Sequence, residues 1–387
     1  MDNFCFFNPT KIYFGKGAIA NLTEELDNYG TTVLLTYGGG SIKNNGLYQQ
    51  ITDILKLKGK RVFELKGITP NPRVEKVYEG IKLCKENNVD LILAVGGGSV
   101  IDCSKAIAIG AKTDKDFWQS FYIDKEEATD KIPLATVLTL AGTGSEMNNG
   151  SVVSNDAEKR KTDYHSTYMQ PEFSVLDPVY TLSLPTIQMV SGAIDILSHL
   201  MEQYFSEPIC TNVSDDLGEA LMKSVIKNLQ NAVCDPADYN SRSNLMWDAT
   251  LGLNGLTKPG KVEDWQVHMI EHQLTAYCDV THGLGLAIIS PSYYRYVYKY
   301  GLPKFVDFAK NVFNVDTEDK SDDEIALEGI ERLEQFFINV GSPTQLREIG
   351  VNKDHLKDIA YTTELLTDRG FKSLTAEDIY EILLTAY

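Results

Sequence analysis

The stretch DWQVHMIEHQLTAYCDVTHG, from Asp264 to Gly283, holds His268, His272 and His282, half of the six histidines in the chain. A neutral imidazole offers a nitrogen lone pair and titrates near neutral pH, so such a cluster points to metal binding or proton transfer. Further back, SGAIDILSHLMEQ places Asp195 and His199 four residues apart in a strongly periodic segment, and His268 and His272 repeat that spacing. On a helix, such residues project from one face about one turn apart. Taken singly, Asp195 and His199 would read as a polar pair on a helix surface; a second pair at the same spacing argues for convergence. One carboxylate and two or three imidazoles make a coordination set for a single divalent ion, Fe(II) or Zn(II). Such an ion can polarise a carbonyl and acidify an alcohol, or it can activate water, and the ligand types alone leave both open.

Glycine loops bear on that choice. In LILAV-GGGS-VIDCSKAIA, Gly96, Gly97, Gly98 and Ser99 stand between a strand pattern and a helix start, where backbone N–H groups and a helix N-terminus can hold a phosphate. A second such turn, TY-GGGS-IK, contains Gly38, Gly39, Gly40 and Ser41. Dinucleotide folds that take NAD(H) often use an acid to hold the adenosine ribose 2′-hydroxyl. This loop has no acid and Lys43 follows it, which favours NADP(H) over NAD(H). A third stretch, LTLAGTGSEMNNGSVVS, offers Thr139, Thr143 and Asn148 as hydrogen-bonding groups for a ribose or carboxamide, or for an ordinary capped loop.

These loops need a sheet to align them. Short β-branched runs at 31–37, 61–65, 91–95 and 132–139 alternate with helical patterns at 41–59, 74–88 and 100–111, which implies βαβ units and a parallel sheet. After the strand-like FSVLDP (173–178) the periodicity becomes helical throughout, including 186–206 and 216–233. The expected fold class is therefore an α/β Rossmann-like domain over residues 1–183, with an all-α domain over 184–387. At 387 residues, two domains are the default, since single cores rarely grow beyond roughly 250–300 residues. The charged run VDTEDKSDDE (315–324) reads as a solvated loop.

The formal net charge of −18 excludes nucleic acid and anionic membranes as expected partners, because both demand a basic face. Six scattered cysteines without a CxxC pair read as reduced thiols. The N-terminus lacks a basic segment followed by an apolar one, and no run approaches the ~18 apolar residues of a membrane span, so a cytoplasmic protein is expected.

KIYFGKGA (11–18), GGGSVIDCSK (96–105), TLAGTGSE (139–146), LDPVYTLSLP (176–185) and the two histidine segments together resemble the iron-containing, or group III, alcohol dehydrogenase family over nearly the whole chain. The TYGGGS start and DWQVHMIEH look most like its NADPH-dependent butanol dehydrogenase and broad-specificity aldehyde reductase branch. The resemblance implies Asp195, His199, His268 and His282 as metal ligands, with His272 beside the metal as a proton relay or an orienting group. It implies that Gly96, Gly97, Gly98 and Ser99 hold the pyrophosphate, and that Gly38, Gly39, Ser41 and Lys43 surround the 2′-phosphate. Asn71, Asp102, Thr139, Thr143, Asn148, Lys161 and Tyr180 match positions along the cofactor. The implied reaction is reversible hydride transfer between NADP(H) and an alcohol or aldehyde such as butanol or butanal. Rival readings are an NAD-dependent polyol dehydrogenase or dehydroquinate-synthase-like lyase on the same plan, a metal-dependent hydrolase, and a protein whose metal only staples helices. Trp265, Phe173 and Met269 could line an apolar substrate pocket or pack in a core. A homodimer is expected, closed two-fold symmetry being commonest.

Overall fold

The computed structural model describes residues 2–387, which form two compact units: residues 7–184, and residues 185–387 together with the N-terminal stretch up to Phe6. The first unit is built on strands β1 (Lys11–Phe14), β2 (Thr32–Tyr37), β3 (Arg61–Leu65), β4 (Leu91–Gly96), β5 (Leu134–Leu138) and β8 (Phe173–Leu176). Among the described residues they make one six-stranded parallel sheet in the order β1-β8-β5-β4-β2-β3. TVLLTY and LILAVG are buried at every residue because helices cover both faces, which is why they read as unbroken apolar runs. On one face Val33, Leu35 and Tyr37 pack with Leu47, Ile51 and Leu55 of helix α3 (Leu47–Leu57). On the other lies α5 (Gly98–Gly110), where Ser104 Oγ meets Thr36 Oγ1 at 2.7 Å. A single turn, α1 (Leu22–Glu25), and the longer α4 (Val74–Asn87) complete the layers.

Two local features depart from the sequence reading. The helix expected over 41–59 is broken into α2 (Ser41–Asn44) and α3, because Gly46 takes a left-handed φ of 82° that a continuous helix excludes, with Asn45 Oδ1 accepting the Leu47 N–H across the turn at 3.2 Å. An antiparallel hairpin, β6 (Gly150–Asn155) with β7 (Arg160–His165), was not expected, since GSVVSNDAEKRKTDYH has no apolar run. Contacts from α5 hold it: Asp102 Oδ2 accepts the Val152 N–H at 3.0 Å, and Lys105 Nζ donates to Gly150 O at 2.8 Å.

The second unit is helical: α6 (Thr186–Tyr204), α7 (Val213–Cys234), α8 (Tyr239–Leu253), α9 (Gln266–Cys278), α10 (His282–Val297), α11 (Leu302–Asn311), α12 (Asp322–Asn339), α13 (Leu356–Thr362) and α14 (Ala376–Thr385). The charged run at 315–324 is a loop only in part, since Ser321 and Glu324 form a capping box and Asp322 to Glu324 become the first turn of α12. No described helix is long and apolar enough to cross a membrane.

A buried charge cluster anchors the start of α7. Asp215 Oδ1 lies 2.6 Å from Lys261 Nζ, its other oxygen takes the Lys304 ammonium, and it also accepts the Asn212 N–H at 3.1 Å. Removing one partner of such a cluster leaves charges desolvated and unpaired. Asp215→Ala should therefore cost about 3–5 kcal/mol in urea unfolding followed by circular dichroism. The exposed Asp216→Ala should cost at most about 1 kcal/mol.

Candidate metal centre and coenzyme loops

Asp195 and His199 sit one turn apart on α6, His268 and His272 one turn apart on α9, and His282 is the first residue of α10. Gly283 explains how α10 begins so close to α6: a Cβ there would lie 2.0 Å from the Ser191 carbonyl oxygen, one turn before Asp195. The backbones touch, and the first side chain of α10 is delivered to the α6 carboxylate.

Asp195 Oδ1 lies 3.4 Å from His199 Nε2, 3.5 Å from His282 Nε2 and 3.8 Å from His268 Nε2. A tetrahedral shell with bonds of about 2.1 Å has edges of roughly 3.4 Å, so these separations suit donors around one ion. The Asp195, His268 and His282 donor atoms all lie within 4.8 Å of one another. Asp195 Oδ1 and His268 Nε2 are buried with no hydrogen-bond partner. An unsatisfied buried polar atom costs about 1–3 kcal/mol, and two aimed at one point indicate a ligand between them.

A second layer of carboxyl groups stands behind the imidazoles. Glu202, on α6, pairs through Oε2 with His268 Nδ1 and accepts the Val267 N–H at 2.6 Å. Glu271, on α9, pairs with His282 Nδ1 and takes the Thr275 hydroxyl on its other oxygen. A carboxylate on Nδ1 holds the proton there and leaves Nε2 as a lone pair facing inward. Glu271, His272 and His282 also bring donor atoms within 4.8 Å, but the Glu271–His282 hydrogen bond makes that grouping an orienting contact.

Electrostatics follow the geometry. Burial opposes ionisation of Asp195, yet His199, His282 and His268 outweigh it and hold the carboxyl well below the usual range. Burial pushes the His199 imidazole down to about 3 despite Asp195. Burial also opposes protonation of His268, but Glu202 and Asp195 raise it to about 9, so in the metal-free chain Nε2 carries a proton that a bound cation would displace to free the lone pair. Trp265, at a left-handed φ of 69°, turns the chain into α9 and sets its ring 5.2 Å from that of His268. The His272 ring is 6.3 Å from His268 and 5.8 Å from His282.

The glycine loops meet because β2 and β4 are neighbours in register, Tyr37 opposite Val95. Gly38–Ser41 and Gly96–Ser99 thus leave the same carboxyl edge of the sheet, where open α/β sheets take ligands. Thr139 N donates to Gly96 O at 3.0 Å, bringing the third loop alongside. Among the residues expected at the cofactor, several have internal partners. Asp102 accepts from Ser145 Oγ at 2.5 Å and from Val152 N; Asn148 Oδ1 accepts from Lys105 at 2.8 Å, and its amide donates to Thr143 O at 3.2 Å. Tyr180 OH donates to Gln50 at 2.8 Å, Asn71 takes a left-handed φ of 52°, and Lys161 is buried on β7. Phe173 is a core residue of the sheet.

Sequence reasoning missed Glu202, Glu271 and Lys105. The two glutamates carried a signal: Glu202 follows Asp195 by seven residues and His199 by three, and Glu271 follows His268 by three, all helical same-face spacings. Lys105 carried a weaker one, a lysine three residues after Asp102 in an otherwise apolar helix. It is fully buried and held by Asn148 and Gly150 carbonyls.

Residues 9–178 match the iron-containing alcohol dehydrogenase family, and residues 189–387 match the C-terminal part of the Fe-containing alcohol dehydrogenase family. The chain belongs to the iron-containing alcohol dehydrogenases. Within that family it is 44% identical to the probable NADH-dependent butanol dehydrogenase 1 of Bacillus subtilis, over 99% of both chains. It is 40% identical to the NADPH-dependent aldehyde reductase YqhD of Escherichia coli, over 91% of this chain and 90% of that one. The crystal structure of NADH-dependent butanol dehydrogenase A from Thermotoga maritima superposes with a TM-score of 0.95 at 38% identity, covering 100% of this chain and 99% of that one. The α/β sheet unit and the helical unit are the fold of this iron-containing dehydrogenase family.

If Glu271 orients His282 as its hydrogen bond indicates, Glu271→Gln should weaken Fe(II) and Zn(II) binding about 10–100-fold. Chelator competition on the purified chain reads this, and thermal melting of the metal-stripped form should be little changed.

Proposed function

We propose that the protein is a metal-dependent alcohol dehydrogenase and aldehyde reductase, interconverting short- to medium-chain alcohols and aldehydes such as butanol and butanal with NADP(H). The observation that carries this reading is the convergence of Asp195, His199, His268 and His282, with Asp195 Oδ1 and His268 Nε2 buried and unpartnered. The mixed carboxylate and imidazole donor set suits Fe(II) or Zn(II). Such an ion, when bound, polarises a carbonyl oxygen and lowers the pKa of an alcohol, and a nicotinamide coenzyme supplies or accepts the hydride.

The chain's own groups do the positioning. Asp195 and the three imidazoles hold the ion, while Glu202 and Glu271 keep two of those rings in the tautomer that presents Nε2. Gly96, Gly97, Gly98 and Ser99, at the N-terminus of α5, offer backbone N–H groups to the pyrophosphate. Asp102 and Lys105 brace the loop that carries Thr143 and Asn148. His272 moves the proton in this reading, supported by its place beside His282, whose side chain is 24% exposed.

For the coenzyme, the absence of an acid in Gly38–Ser41 and the presence of Lys43 support NADP(H). Of the three relatives named above, two are called NADH-dependent and one NADPH-dependent, so both coenzymes belong in the test. A metal-dependent hydrolase would have no use for paired strand–glycine–helix turns. Six unpaired thiols suit a reducing cytoplasm, and a homodimer is the assembly we expect.

Oxidation of NADPH at 340 nm with butanal should vanish in metal-stripped protein and return with Fe(II) or Zn(II). No turnover with either ion or coenzyme would overturn the reading; a preference for NADH would overturn the coenzyme assignment alone. His272→Ala should lower kcat about a hundred-fold while metal content, read by atomic absorption, stays at one ion per chain. An unchanged kcat would remove His272 from proton transfer.

A further inference from the structure

The Gly38–Ser41 loop lacks an acid of its own, but the fold brings one to it from the neighbouring strand. Glu64 lies on β3, opposite Leu35 of β2. Its Oε2 accepts from Tyr37 OH at 2.5 Å and its Oε1 from Tyr48 OH at 2.7 Å. Tyr37 ends β2 and immediately precedes Gly38; Tyr48 is the second residue of α3, just beyond the loop. The two rings meet edge to face at 5.7 Å, and Lys43 rests over both, its Nζ 4.5 Å from the Tyr48 centroid and 5.2 Å from that of Tyr37.

The four side chains therefore form a stack of alternating character beside the loop. The Lys43 ammonium faces two π-surfaces, which attract a cation. The Glu64 carboxylate lies behind, gripped by both phenols. Burial works against its ionisation, but the two phenolic hydrogen bonds and the charges of Lys43 and Lys66 outweigh that and hold the group below the usual carboxylate range. Burial and the bond to Glu64 push Tyr37 up to about 12, so the phenol remains a donor. Lys43, the one cation of the GGGSIK segment, is thus tethered by rings whose hydroxyls answer to a negative charge.

We propose that Glu64, acting through Tyr37, Tyr48 and Lys43, is a positioning residue that sets the discrimination between coenzymes with and without a 2′-phosphate. This rests on the reading that Gly38–Ser41 faces the adenosine end of the coenzyme. A 2′-phosphate brings about two negative charges and a ribose hydroxyl brings none. Lys43 favours the phosphate, while Glu64 opposes it and also draws the lysine toward the rings. The site is balanced between two opposite charges, whereas an acid within the loop would exclude the phosphate outright.

The test is titration of the full-length, metal-loaded protein with NADPH and with NADH, followed by quenching of intrinsic fluorescence. Glu64→Gln keeps the shape and one acceptor oxygen but removes the charge, its amide N–H facing the second phenol oxygen. The ratio of the NADH Kd to the NADPH Kd should rise by on the order of tenfold. Glu64→Asp, which keeps the charge, should restore a ratio near that of the unmodified chain. Lys43→Gln, at an exposed position where folding is not at stake, should move the ratio about tenfold the other way. A ratio unchanged within about twofold in Glu64→Gln, or in Lys43→Gln should Glu64→Gln fail to fold, overturns the inference while leaving the dinucleotide reading intact. Failure of the unmodified chain to bind either nucleotide overturns both.

Discussion

Burial of the Asp195 carboxylate is the constraint on which the helical unit depends. A desolvated carboxyl is costly unless paired, and here its neighbours are imidazoles arriving from α6, α9 and α10, with none donating a hydrogen bond to Oδ1. The helices consequently bring these groups to one point within an otherwise apolar packing, in which Ile194 and Leu197 of α6, Ile270 and Leu274 of α9 and Leu286 and Ile289 of α10 are buried. Gly283 permits the close approach of α10 to α6, and Glu202 and Glu271 bond the outer nitrogens of two rings. Such an arrangement is poorly explained by stability, since replacing buried charged groups by apolar residues of similar volume is often neutral or stabilising.

The sheet unit solves a different problem with uncharged means. Parallel strands buried on both faces bring the ends of β2 and β4 together, so two glycine turns 58 residues apart in sequence (96 − 38) emerge side by side. Two buried charges enter this unit on α5. Asp102 and Lys105 lie inside α5, where their partners are loop hydroxyls, amides and carbonyls. Their work is to fasten the Thr143–Asn148 loop and the β6–β7 hairpin, segments whose own composition would not hold them in place.

The contrast between the first metal residues and their supports shows how far residue types reach. Histidine is rare in this chain, so pairs at four-residue spacing stood out. Glutamate is common, so the same-face spacing of Glu202 and Glu271 to the ligand residues was a weaker signal, and only burial separates a glutamate that grips an imidazole from one that faces water. The hairpin escaped notice for the same reason, as its stability comes from α5 and not from an apolar alternation of its own. The helix expected over 41–59 was too long because Gly46 takes a left-handed φ of 82°, and a glycine within a helical pattern does not announce from sequence alone whether it will leave the helix.

Local periodicity and residue chemistry therefore determined the α/β and helical units, the glycine turns, and the pairs Asp195/His199 and His268/His272, because these depend on spacing within a few turns of chain, while the family resemblance singled out His282 over His272 as the fourth candidate ligand. Tertiary structure alone decided which carboxyl groups stand behind the imidazoles, that Asp102 braces a loop, and that an acid from β3 reaches the loop after β2. Those outcomes depend on which elements become neighbours, and a charge acts through distance in space, to which separation along the chain is no guide.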